Sequence, residues 1–151
     1  LRAETGILFH QQDIFEGTLY ENITLGDREV TTEQITALAE KLGISDFITS
    51  LKRGFDTPID AAGKRLSSAV IRKVLLLRAL LSHPKLLLLE EPWLGFDADC
   101  KEKVQHYLLH EIPDTTVLLI TNETAFAQRC DRIVELQDGV VVKHGKPNET
   151  L

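Results

Sequence analysis

Leu86-Leu87-Leu88-Leu89-Glu90-Glu91-Pro92-Trp93 restricts the fold more than any other stretch of this chain. Four successive leucines do not alternate with polar residues, and so short a run is poor material for a separate helix. The run reads as a buried central strand of a parallel sheet, apolar toward both faces. Two adjacent carboxylates then stand at its carboxyl end, which is the edge where ligands of open α/β sheets bind.

The rest of the pattern agrees with an α/β sheet carrying helices on its faces. Gly6 to Phe9 and Val117 to Ile120 are further apolar runs of strand length. Thr18 to Ile23 predicts one helical turn. Thr31 or Thr32 caps a helix whose Ile35, Leu38, Ala39 and Leu42 recur at helical spacing, and Gly43 closes it. A short helix follows from Ser45 to near Lys52-Arg53-Gly54, and Phe55 to Arg65 is turn-rich. Ser67 caps a longer helix with Val70, Val74, Leu77 and Leu81 as its stripe, widened by Leu75, Leu76 and Leu80, and Pro84 ends it. A helix is expected from about Asp99 to His110 and another from Glu123 to Arg129. Arg132 to Leu136 and Val140 to Lys143 form a hairpin around Asp138-Gly139, and Pro147 opens a last helix.

Composition excludes more than it assigns. The net charge of -6 and the scattered basic residues argue against a nucleic-acid partner. Cys100 and Cys130 form no C-x-x-C pair and read as reduced structural thiols. No apolar run approaches the ~18 residues of a membrane span, so the chain itself is expected to be soluble. With no methionine and Leu1 at its start, it is expected to be a segment of a longer protein.

For Glu90 and Glu91 two readings stand side by side. They mark where a buried strand meets solvent, or they do the work of a nucleotide hydrolase. There the first acid holds magnesium through its water shell and the second polarises the water that attacks the terminal phosphate.

The neighbouring residues favour the second. Gly63-Lys64-Arg65-Leu66-Ser67-Ser68-Ala69, Leu77-Arg78-Ala79-Leu80-Leu81, Pro84-Lys85 and Leu86 to Asp97 follow in order. Phe15-Glu16-Gly17-Thr18-Leu19-Tyr20-Glu21-Asn22-Ile23 and Gly54-Phe55-Asp56-Thr57-Pro58-Ile59 precede them. Cys130-Asp131-Arg132-Ile133, Gln137-Asp138-Gly139 and His144-Gly145 come after. Together they resemble the ATP-binding-cassette (ABC) nucleotide-binding domain, from the Q-loop through the signature loop and Walker B strand to the D-loop and switch. Phe15 to Ile23 resembles the exporter branch.

The resemblance implies an α/β fold, the core sheet of a partial P-loop NTPase (an ABC ATPase) with an inserted helical subdomain and the P-loop segment missing. It implies one truncated domain over 1–151: core strand and Q-loop in 1–16, helical subdomain and signature helix in 17–83, and α/β core in 84–151. The cofactors implied are ATP and Mg2+ in the full-length protein. The partners implied are a second nucleotide-binding domain, arranged head to tail, and the transmembrane domain of a transporter at the cytoplasmic face of the membrane.

Carried over residue by residue, the Q-loop position falls on His10, with Gln11 or Gln12 able to substitute. Ser67, Ser68 and Ala69 take the signature positions that cap a nucleotide held by the opposite subunit. Ser68 and Ala69 add a Cβ where glycine lets backbone approach, and Val70 removes an amide. Glu90 takes the Walker B aspartate position toward magnesium, one methylene longer. Glu91 takes the catalytic glutamate position. Asp97 takes the D-loop aspartate position, where capping the following helix is an equal account. Asn122 replaces the switch histidine; it still donates a hydrogen bond but carries no charge. No G-x-x-x-x-G-K-[ST] occurs in the 151 residues. The expected function is ATP binding and hydrolysis coupled to export, with slow or degenerate turnover and an inactive isolated piece. The alternatives are a non-hydrolysing ATP-binding and dimerisation module and a soluble ABC protein outside transport. His106 and His110, four residues apart, read as a solvated helix face, and Trp93 as packing at a subunit interface.

Overall fold

The computed structural model describes residues 4–9, 14–61 and 65–150, with side chains to residue 148. It divides into two units, 1–120 and 121–151, and each is taken by itself.

In the first unit the leucine run forms β4 (Leu86–Glu90), central in a parallel sheet between β1 (Thr5–Leu8) and β5 (Thr116–Ile120). Helix α4 (Ser68–Leu81) lies on β1. A Cβ on Gly6 would run into the Ala79 carbonyl oxygen and the Leu87 side chain, so a glycine is what lets helix and strand come this close. Leu8, Leu87 and Leu89 are buried on that side. On the opposite side Leu88 is half-buried, and Leu118 and Ile120 are 61% and 60% exposed within this chain.

Helix α4 also departs from its expected stripe. Val70 and Leu81 are only half-buried, whereas Arg72 and Ala79 join Val74 to Leu77 and Leu80 in the interior. Ser67 is the cap, its hydroxyl accepting from the Val70 amide.

Against α4 packs a layer of short elements. In α1 (Leu19–Thr24) Thr18 and Glu21 form a capping box, and in α2 (Thr32–Lys41) Thr31 and Gln34 form another. Ile35, Leu38, Ala39 and Leu42 are buried as their spacing requires, and Gly43 takes a positive φ of 68° where the helix closes. Helix α3 is only Asp46–Thr49. The turn-rich stretch holds a 3-10 turn (Gly54–Asp56) and a two-residue strand that sequence patterning missed: β3 (Pro58–Ile59) pairs antiparallel with β2 (Gly17–Thr18).

Asn22, fully buried, joins this layer together. Its amide nitrogen donates to the Phe15 and Thr18 carbonyls at 2.9 and 3.1 Å, and its side-chain oxygen accepts from the Phe15 amide at 3.0 Å. Arg78 of α4 donates from Nε to the Asn22 backbone carbonyl at 2.7 Å and packs over the Phe15 ring.

After β4, helix α5 (Ala98–His110) begins at Asp97, whose carboxylate accepts from the Cys100 amide at 2.9 Å. That bond, chiefly, holds the Asp97 carboxyl below its ordinary 3.8, with Lys73 adding a smaller pull. Burial pushes the Cys100 thiol up to about 11, in keeping with an inert structural cysteine.

In the second unit α6 spans Thr124–Ala127, shorter than expected. The hairpin forms as read: β6 (Ile133–Gln137) pairs antiparallel with β7 (Val140–Gly145), with a register shift at Glu135/Leu136. Asp138 and Gly139 have φ of 50° and 78°, the left-handed pair a tight hairpin turn demands. Helix α7 (Pro147–Thr150) follows.

Two outcomes are expected. Asn22→Ala leaves the Phe15 amide and the Thr18 carbonyl without this partner and destabilises the chain by about 2–3 kcal/mol in urea unfolding. Asp97, with its folded-state pKa lowered, contributes stability that is complete above the unfolded-state pKa and is lost as pH falls through the folded-state value. Asp97→Ala therefore lowers the thermal midpoint at pH 7 and flattens its acid-side fall, while Asp97→Asn, which keeps the cap, stays near wild type at pH 7.

Candidate functional site

At the tip of β4 the chain changes direction in one residue. Glu90 still pairs in the sheet, opposite Ile120. Glu91 has a φ of 42°, in the left-handed region that costs a non-glycine residue about 1–2 kcal/mol. Its amide donates to the Ile120 carbonyl at 2.9 Å, and its carbonyl accepts from the Leu94 amide at 3.1 Å, so strand ends and turn begins on this residue. Pro92 and Trp93 are buried behind it, and both glutamates are half-buried.

Helix α4 supports the turn from below. Arg72, 9% exposed, donates from Nη1 to the Glu90 carbonyl at 3.1 Å and to the Glu91 carbonyl at 2.9 Å. Burial lowers the Arg72 pKa, and the charges of Glu90 and Glu91 oppose that shift. Ala69 meets the turn at Gly95, where a Cβ would come within 3.4 Å of the Ala69 Cβ and where φ is 83°. Lys73 lies over the Phe96 ring, 5.6 Å from its centre. Ala69, Arg72 and Lys73 are thus one face of α4, at i, i+3 and i+4, set against residues 90–97.

Of the residues singled out in sequence, Glu90, Glu91, Ala69 and Asp97 lie in or against this turn. Glu90 and Glu91 occupy the strand tip. Ser67 and Ser68 are exposed and Ala69 half-buried at the start of α4, and Asp97 caps α5 at the end of the turn. His10 and Gln11 lie outside the described residues. Asn122 belongs to the second unit, two residues beyond β5, and is exposed. His106 and His110 are exposed with ring centres 4.9 Å apart. Among the described residues no group of three His, Cys, Asp or Glu side chains is arranged for a metal.

Sequence reasoning missed Arg72, Lys73 and Gly95. The signal was an arginine within a helix apolar on most sides, since a buried guanidinium requires partners.

The donor set suits a hard cation with bound phosphate. Carboxylate oxygens are the ligands magnesium takes, few at a time and with water completing the shell. The first amides and dipole of the 14-residue helix α4 separately favour an anion at its own start.

Comparison with known proteins identifies the family. The family model described as "ABC transporter" matches residues 1–94. The antigen peptide transporter 1 of Rattus norvegicus is 38% identical over 149 residues, covering 96% of this chain and 20% of that protein. A multidrug efflux ATP-binding/permease protein of Mycobacterium tuberculosis is 32% identical over 149 residues, covering 99% and 12%. A bacterial Atm1-family ABC exporter solved with ATP bound superposes with a TM-score of 0.86 at 25% identity, over 98% of this chain and 26% of that one. The chain spans 11% to 21% of the length of such curated relatives. From the family match, the order of motifs and the shared fold, this chain belongs to the ABC transporter family and corresponds to part of its ATP-binding domain.

Proposed function

We propose that this chain supplies the acidic side of an ATP site in an exporter, coupling ATP binding and hydrolysis to transport across a membrane. The observation that carries this reading is the Glu90-Glu91 pair at the carboxyl tip of the central parallel strand.

Glu90 is the residue proposed to hold Mg2+ through water, and bound magnesium would neutralise charge on the phosphates. Glu91 orients the attacking water and accepts its proton. Ser67, Ser68 and Ala69 face the nucleotide of a second nucleotide-binding domain in a head-to-tail pair, with Asp97 at the seam. By their place in the order of motifs, His10 or Gln11 is proposed for the Q-loop role toward the metal or the attacking water, and Asn122 for the switch role toward the terminal phosphate. Residues 17–83 are the proposed helical subdomain that receives the movement of a transmembrane domain, with the ATP site at the cytoplasmic face of the membrane.

A second reading, an ATP-binding module that pairs without turnover, is favoured by Ser68-Ala69-Val70 in the signature positions and by Asn122. Each weakens a contact to phosphate without removing the acid.

The full-length gene product is expected to hydrolyse ATP slowly. Glu91→Gln removes turnover and leaves ATP binding intact; an unchanged rate in that variant defeats the enzyme reading. Asn122→His returns a charge able to stabilise the phosphoryl transition state and is expected to raise kcat by about tenfold or more. Absent turnover with ATP-dependent pairing retained establishes the second reading instead.

A further inference from the structure

We infer that Arg72 is a positioning residue: by gathering the Glu90 and Glu91 carbonyls onto one nitrogen, it sets the left-handed turn that aims the Glu91 carboxylate. The inference rests on Glu91 being the acid of the proposed reaction.

Along a strand, consecutive carbonyls point to opposite sides. A single donor nitrogen reaches both only if the residue between them leaves the extended conformation. Nη1 of Arg72 lies 3.1 Å from the Glu90 oxygen and 2.9 Å from the Glu91 oxygen, and the residue between them, Glu91, has a φ of 42°. The strain of that conformation is offset by two charge-assisted hydrogen bonds from a buried guanidinium. Neither bond uses a carboxylate, so the clamp directs the acid through the backbone it hangs from.

The same clamp transmits position. Arg72 follows Ser68 by four residues and Ala69 by three, so it shares a face of α4 with the signature positions. Ala69 against Gly95 and Lys73 over Phe96 flank it. A shift of α4, a rigid rod over this distance, is passed directly to the turn holding Glu91. The acid is thereby aligned only when the signature helix is seated.

The test separates chemistry from stability. Arg72→Met keeps the volume and removes the donors. In the full-length product kcat is expected to fall at least about tenfold while the KM for ATP moves less than about threefold, the pattern of a lost transition-state interaction. Independently, Trp93 is the chain's only tryptophan and is 3% exposed two residues from Glu91. Its emission in the folded 151-residue Arg72→Met chain is expected to shift to the red as the turn loosens. An unchanged kcat, or an unchanged emission, overturns the inference. Should Arg72→Met fail to fold, Arg72→Gln, which reaches at most one of the two carbonyls, is expected to give intermediate losses in both readings, and wild-type values overturn the inference equally. If the wild-type product shows no turnover, the proposed function fails, and the Trp93 emission alone decides whether Arg72 sets the turn.

Discussion

The burial of helix α4 organises the described part of the 1–120 unit around three contacts. One side lies on β1, where Gly6 admits it; another meets α1 and α2; a third carries residues 90–97. Val74 to Leu77, Ala79 and Leu80 are all buried. Truncating any one of the leucines to alanine would cost about 2–5 kcal/mol, a large share of the 5–15 kcal/mol that typically separates a folded domain from its unfolded chain. Helix caps and surface ion pairs such as Lys41–Glu111 tune a fold that this apolar packing holds.

Two arginines of α4 reach backbone carbonyls of neighbouring elements. Arg78 takes the Asn22 carbonyl and thereby ties the helix to the layer containing α1. Arg72 takes two carbonyls at the strand tip and ties the helix to the acidic pair. A buried guanidinium without partners would be among the costliest groups in the molecule; bonded in this way, each one fixes where α4 sits relative to a neighbour. Attachment of the start of α4 to the turn that carries the acidic pair follows from Arg72 together with the Ala69 and Lys73 contacts.

Local signals were read where the physics is local. Thr31 with Gln34, Ser67 and Asp97 are caps because a side-chain oxygen satisfies an amide three residues on, whatever the surroundings. Asp138-Gly139 makes a tight turn because those residue types tolerate positive φ. The β2–β3 pairing escaped notice because two residues carry no period. The placement of Arg72 escaped because helical phase alone put it outside the apolar stripe, on a side that only the 90–97 turn defines.

From the sequence alone came the central strand, the acidic pair at its tip, the helix starts and, through the order of its motifs, the resemblance to the ABC family. These depend on contacts between near neighbours in the chain or on recurring residue patterns. Only the tertiary structure decided that Glu91 sits in a left-handed turn and that a helix residue nineteen positions earlier holds it there. Such features arise where separate elements meet. Their geometry depends on the relative placement of elements, which no single window of residues encodes.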